Sequence, residues 1–369
     1  MAKGSYLYDN VGNSYLDFAA GVSANTLGHS HPAIVSAIKE QAEKYLHVMV
    51  YGEYALSPAV ELCKKIDQIT PDNLQSTYLL NSGAEAIDAS LKLAKRLTGR
   101  RKIMAFKGAY HGNTHGALSV SDSKIHKEAY GPLLEGISTL EFNNFEDLDK
   151  IDDSFACVLI ETIQGASGFI LPKEGYLLAL KERCLSMGVK LIYDEIQPGF
   201  GRTGTWFAFQ NEGVNPDILV LGKGMGAGLP IGAIVASRQD MAAFSVAPKL
   251  GHITTFGGNP LVAAASLAMI QTMEEEKTME KIAQKEALFR KLLLHPKIKS
   301  FPGKGLMLAL EMESEAQCMQ VANKCMEKGL IVFWLLYQTQ FIRITPPLNI
   351  SDEEIKKGCQ ILLTVLDEI

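Results

Sequence analysis

The sequence predicts an α/β protein: a large domain on a mainly parallel sheet, with a smaller α+β domain beside it. Two observations carry this. Between about residues 76 and 237, short apolar runs recur: STYLLN (76–81), KIMAF (102–106), ACVLIET (156–162), KLIYDE (190–195), DILVLGK (217–223) and GAIVAS (232–237). The central runs are nearly all apolar rather than alternating, as parallel strands covered on both faces are. Helical stretches separate several of them, at 84–97 and 176–187 for example. Strand–helix alternation of this kind builds parallel sheets.

Taken in chain order, SYLYDNVGNSYLDF (5–18) reads as a hairpin, two aromatic-rich runs around residues 9–13. From His31 a helical pattern begins, with Pro32 in its first turn and Ile34, Val35 and Ile38 on one side. In the 84–97 helix, Ile87, Leu91 and Ala94 form one face. From about Asn259 the chain is helix-rich, with a strand pair around KGLMLALEM (304–312) and FIRIT (341–345). The expected division is a large domain at 41–258 and a small one from 1–40 and 259–369.

Composition excludes several classes. A 369-residue chain exceeds one small core. Its 47% apolar and 21% charged residues are those of an ordinary globular protein. The net charge of −5 gives no electrostatic case for nucleic acid or an anionic membrane. MAKGSYLYDN lacks the apolar stretch of a signal peptide, and no apolar run reaches about 20 residues. Six scattered cysteines with no CxxC pair read as reduced thiols filling apolar space. A soluble, cytoplasmic protein is expected.

Chemistry concentrates at one place. Ser82-Gly83, Tyr110-His111, Glu161, Asp194 and Lys223 all fall at or just past the carboxyl end of an expected strand, the edge where open α/β sheets bind ligands. Asn81-Ser82-Gly83-Ala84-Glu85 is a strand–helix junction whose free N–H groups favour an anion such as phosphate; it equally reads as a capping box of Ser82 and Glu85. Asp194 ends an apolar run, where a carboxylate is costly without a cationic partner such as a protonated ring nitrogen; capping the next turn is the other reading. Lys223 enters GMGAG from a buried strand, so desolvation would free its amine to attack carbonyls. A nucleotide phosphate loop would need Ser or Thr after the lysine, and Gly224 stands there; an exposed turn lysine is the remaining alternative. Tyr110 offers a flat face for an aromatic ring, while His111 suits a structural hydrogen bond as well as catalysis. Arg343 in FIRIT would face away from Ile342 and Ile344, either into solvent or into the crevice as a carboxylate clamp. No metal-ligand spacing occurs.

Three stretches, LIYDEIQPGFGRTGTWFAFQ (191–210), PDILVLGKGMGAGLPIGAIVAS (216–237) and ITTFGGNPL (253–261), closely resemble the class III aminotransferases. These are the ornithine, acetylornithine and 4-aminobutyrate aminotransferase group, of fold type I pyridoxal-phosphate architecture. NSGAEAIDASLKLAKR (81–96), GAYHG (108–112) and LGHSHPAIVSAIKEQ (27–41) fit the same family, so the resemblance spans essentially the whole chain. It implies a Schiff base to pyridoxal 5'-phosphate at Lys223, pairing of Asp194 with the pyridinium nitrogen, and stacking by Tyr110. It also implies that Ser82, Gly83 and Ala84 hold the phosphate, with Thr255 of the neighbouring subunit in a homodimer, and that Gln197 lies near the ring hydroxyl. Glu161 and Arg343 resemble a switch pair, Glu161 neutralising Arg343 for one substrate and releasing it to clamp the carboxylate of the other. The implied reaction moves an amino group from an ω-amino donor to a 2-oxo acid such as 2-oxoglutarate or pyruvate. An aminomutase, a racemase or a non-catalytic cofactor-binding protein are the competing expectations.

Three departures fall on substrate recognition. Asn113 stands where many members of the group have a carboxylate-gripping arginine. Gln164-Gly165-Ala166-Ser167-Gly168, preceded by Thr162, replaces the usual Gln-Gly-Glu-Gly/Ala-Gly loop. Family members also usually carry a longer N-terminal segment before the hairpin.

Overall fold

Seven strands form the central sheet of the computed structural model, which describes residues 1–49, 54–246 and 248–369. They are β1 (Ser76–Leu80), β2 (Lys102–Phe106), β3 (Ile137–Leu140), β4 (Phe155–Glu161), β5 (Lys190–Asp194), β6 (Ile218–Leu221) and β7 (Gly232–Ala236). Their order across the sheet is β1-β7-β6-β5-β4-β2-β3. All run parallel except β7, which is antiparallel to β1 and β6.

The all-apolar runs become strands because both faces are covered. Cys157 and Leu159 of β4 join one apolar cluster with Ala86, Ile87 and Leu91 of helix Gly83–Thr98. Val158 and Ile160, one residue out of phase, join the other, with Tyr176 and Leu180 of helix Tyr176–Met187. β5 and β6 divide in the same way, Ile192 and Val220 on one face and Leu191 and Leu219 on the other. The period of two along a strand thus sends each run into two cores.

The hairpin forms as expected: Tyr6–Tyr8 pairs antiparallel with Ser14–Asp17. Its turn is fixed by Asp9, whose carboxylate accepts from the amides of Val11 (3.0 Å) and Asn13 (2.9 Å). Helix Pro32–Lys44 begins with its proline at the first turn and lies on the long helix Pro260–Glu275. Further along, Gly303–Lys304, Met307–Glu311, Phe341–Ile344 and Phe333–Trp334 make a four-stranded antiparallel sheet. Ile342 and Ile344 enter the same apolar cluster as Val158 and Ile160, so this core runs unbroken from one sheet to the other. Arg202 is buried at that junction, donating to the carbonyls of Leu306 (3.3 Å) and Pro346. Among the described residues no helix is long and apolar enough to cross a membrane.

Candidate active site

The carboxyl ends of β1, β2, β4, β5 and β6 converge on a cavity of about 490 Å³. Of the residues singled out from the sequence, Gly83, Ala84, Tyr110, His111, Glu161, Asp194, Gln197, Lys223 and Arg343 line it. Ser82 stands just behind the wall as N-cap of helix Gly83–Thr98, its Oγ accepting from the Glu85 amide at 3.2 Å. The Glu85 carboxylate reaches back to the Asn81 amide at 2.8 Å, so the reciprocal bond lands one residue before the cap. Capping and ligand binding are compatible here: Ser82 satisfies one first-turn amide, and those of Gly83 and Ala84 stay available to an anion. Thr255 is exposed and does not line this chain's cavity.

Asp194 is buried at the end of β5. His111 Nδ1 lies 2.7 Å from its Oδ2, and the Ile196 amide donates to its Oδ1 at 3.0 Å. His111 is itself held, its own amide donating to Ser121 Oγ at 2.8 Å. The histidine is thus the partner that fixes the aspartate's orientation, the structural hydrogen bond that the sequence left open.

Lys223 follows β6 with a left-handed backbone, φ 40°. A non-glycine residue in this region stores strain that the surroundings must hold, a feature that clusters at functional sites. Desolvation lowers the Lys223 amine from its usual basicity, opposed by the negative charges of Asp194 and Glu161. Glu161, buried at the end of β4, accepts from the amides of Gly165 (3.1 Å) and Tyr110 (3.2 Å). Burial pushes its carboxyl up to about 7.

Arg343 is buried rather than solvated, 6% exposed. Its Nε donates to the Trp334 carbonyl at 3.3 Å, and its Nη1 has no protein partner. Burial brings the guanidinium down to about 10, which leaves it charged at neutral pH. Glu161 and Arg343 line the same cavity without forming an ion pair in this arrangement. Tyr110 meets Tyr337 edge-on, with ring centroids 6.1 Å apart.

Sequence reasoning missed part of the wall: Val22, Phe333, Trp334 and Leu336 also line the cavity. Val22 sits in a left-handed turn, φ 59°, unusual for a β-branched residue. The apolar FWLL stretch just ahead of FIRIT was the available signal for the other three, because the two segments pair antiparallel and set Phe333 beside Arg343.

A mainly parallel seven-stranded sheet with Asp194 and Lys223 at its carboxyl edge, and Arg343 facing them from the second sheet, is the arrangement of the fold type I transferases. The family model for class-III aminotransferases matches residues 1–366, and the chain belongs to that family. It is 37% identical over 362 residues to the acetylornithine aminotransferase of Archaeoglobus fulgidus, covering 98% of this chain and 93% of that protein. It is 36% identical over 369 residues to a [LysW]-aminoadipate semialdehyde/glutamate semialdehyde transaminase of Sulfolobus acidocaldarius, covering 98% and 92%. Among solved structures, the ornithine aminotransferase of Toxoplasma gondii, described with partial occupancy of PLP at its active site, superposes with a TM-score of 0.92 at 32% identity, covering 100% of this chain and 89% of that one.

Proposed function

We propose that the cavity binds pyridoxal 5'-phosphate and that the protein, a cytoplasmic homodimer, transfers an amino group from an ω-amino donor to a 2-oxo acid. One observation carries the reading: Lys223, Asp194 and Arg343, distant in sequence, line one cavity. The residues present suit the cofactor. His111 Nε2, Gln197 Nε2 and Arg343 Nη1 are buried polar atoms without a protein partner, a costly state that bound groups or water relieve. Glycines let the wall side chains pack onto the backbone: a Cβ on Gly83 would stand 2.8 Å from Ile196 Cδ1, and one on Gly165 would strike Gln197 Oε1.

In this reading Gly83 and Ala84 hold the phosphate through their amides, with Ser82 beside them and Thr255 reaching across from the partner subunit. Tyr110 would offer its face to the ring, Asp194 would hold a proton on the ring nitrogen, and Gln197 would serve the ring hydroxyl. Bound pyridoxal phosphate supplies the electron sink for transamination. Lys223 would be the residue that holds the cofactor covalently, and its amine would be the base available to move a proton at the reacting carbon. Arg343 grips a substrate carboxylate, and Glu161 sets how much positive charge that carboxylate meets. The division into a large domain at 41–258 and a small one at 1–40 with 259–369 belongs to the same reading.

Borohydride treatment of the purified protein, followed by peptide mapping, tests it. The cofactor should be fixed at Lys223, and Lys223→Ala should lose both the label and transaminase turnover, by about 10²–10⁴-fold or more. A label on another lysine, or undiminished turnover in the variant, overturns the assignment. A donor supplied without oxo acid should yield no isomer; isomer formation would favour an aminomutase or racemase.

A further inference from the structure

The cavity wall is charged on one part and apolar on another. Its only Lys or Arg side chains among the described residues are Lys223 and Arg343. If Lys223 serves the cofactor, Arg343 is the one cation that the described residues of this chain leave for substrate. Its Nε is engaged by the Trp334 carbonyl while Nη1 remains buried and unpartnered, so the guanidinium has room for one carboxylate. The neighbouring charges oppose a second. Glu161 and Asp194 are acidic, and Asn113 offers a neutral amide that cannot make a charged fork.

The rest of the wall is built for something else. Phe333 stands across the strand pair from Arg343, and its ring stacks on Trp334 with centroids 4.1 Å apart and planes 17° apart. Phe333 and Leu336 are 42% and 43% exposed although they line a cavity, so this apolar surface is left to water until something covers it. A second carboxylate placed there would lose its hydration without gaining a cation, whereas a methyl, alkyl or aryl group would remove apolar surface from water.

We propose that this site accepts substrates bearing a single carboxylate, held by Arg343, with an apolar remainder against Phe333, Trp334 and Leu336, and discriminates against dicarboxylates. The inference rests on the aminotransferase reading and narrows its acceptor to monocarboxylic 2-oxo acids of the pyruvate class. The net reaction balances between the two substrates. The donor's C–NH₂ carbon is oxidised to a carbonyl and the acceptor's carbonyl carbon is reduced to C–NH₂, with no external oxidant.

Single half-reactions on the holoenzyme test this without knowledge of the natural donor. L-Alanine and L-glutamate are each mixed with the enzyme, and release of pyruvate or 2-oxoglutarate is measured. Alanine should react with a kcat/KM at least about tenfold above that of glutamate. Asn113→Arg should raise the glutamate-to-alanine ratio of kcat/KM by about tenfold or more. Phe333→Ser should weaken alanine and longer apolar amino acids more than glutamate. Glutamate reacting as well as or better than alanine overturns the inference and leaves the aminotransferase reading intact. Failure of alanine, glutamate and a panel of ω-amines alike to release any carbonyl product overturns the aminotransferase reading and the inference with it.

Discussion

At the scale of single residues, the site pairs each charge with a reason for being there. Asp194 survives burial because His111 Nδ1 meets it at 2.7 Å, and Lys223 is made a better nucleophile by desolvation. Glu161 carries a consequence for pH. Burial raises its carboxyl to about 7, so the folded protein binds this proton more tightly than the unfolded chain. Its contribution to stability is therefore complete below the ordinary glutamate range and is lost as pH rises through about 7. Ionisation also adds a negative charge to a wall that must receive a carboxylate. The KM for the oxo acid should rise between pH 6 and 8, by up to about tenfold, and Glu161→Gln should flatten that rise. The glutamine turns an NH₂ toward one of the two donating amides and should cost about 1 kcal/mol of stability. Steady-state kinetics across that range check the first effect; an unchanged slope in the variant would clear Glu161 of the role. Lys223 and Asp194 were legible in the sequence because a charged residue at the end of an apolar run demands a partner, whereas Arg343 stood open between solvent and crevice until the family resemblance assigned it. Val22 left no such signal, and the FWLL run marked Phe333, Trp334 and Leu336 only as apolar, a signature shared by a core and a cavity wall.

At the scale of elements, the strand–helix junctions position the chemistry, and β7 shows how tightly. Gly232, paired with Leu80 of β1, passes so close to the Ser82 carbonyl that a Cβ there would strike the oxygen. That carbonyl accepts from the Ala86 amide at 3.1 Å in the first turn of helix Gly83–Thr98. Gly232→Ala should therefore push the Ser82–Ala84 turn out of place, lowering the melting temperature and weakening pyridoxal phosphate by about tenfold or more. Ser82→Ala removes the cap, worth about 1 kcal/mol, and one hydroxyl beside the phosphate, but leaves the Gly83 and Ala84 amides in place and should weaken cofactor less. Cofactor titration of both proteins checks the order, and a Gly232→Ala protein that binds as the wild type does would refute it. The buried central strands could be read directly from sequence, since two-sided burial leaves a run with almost no polar residue. β3 was not, being a short edge strand with Ser138 and Thr139 exposed. Nor was the reversed direction of β7. An all-apolar run carries no polarity of its own, and the short connection 222–231 decides it, because parallel neighbours need a crossover of about a dozen residues or more.

At the scale of the whole molecule, the unexplained surface is apolar. Leu46, Val48, Met49, Ile253 and Phe256 are all exposed, and the segments that carry them are tied together. Asn259 Nδ2 donates to the Leu46 carbonyl at 3.0 Å, and His47 meets the Phe256 ring at 5.0 Å. Exposed apolar side chains gathered on tied segments suit a covering partner, and Thr255 lies on the same segment as Ile253 and Phe256 and does not line its own chain's cavity. If a second copy covers the patch, Phe256→Glu should shift sedimentation from dimer to monomer. Thr255→Ala should stay dimeric yet bind pyridoxal phosphate roughly 10–100-fold more weakly, the worth of a hydrogen bond to a charged group. Sharing of sites between subunits then has a sharper test. Thr255→Ala chains and Lys223→Ala chains are each assayed alone at limiting cofactor, then together after subunit exchange. In a mixed dimer, one site joins the lysine of the first chain to the threonine of the second and is intact. Activity should therefore rise on mixing above the sum of the two parents. Were each site built from one chain alone, every site would still lack either its lysine or its threonine, and mixing would restore nothing.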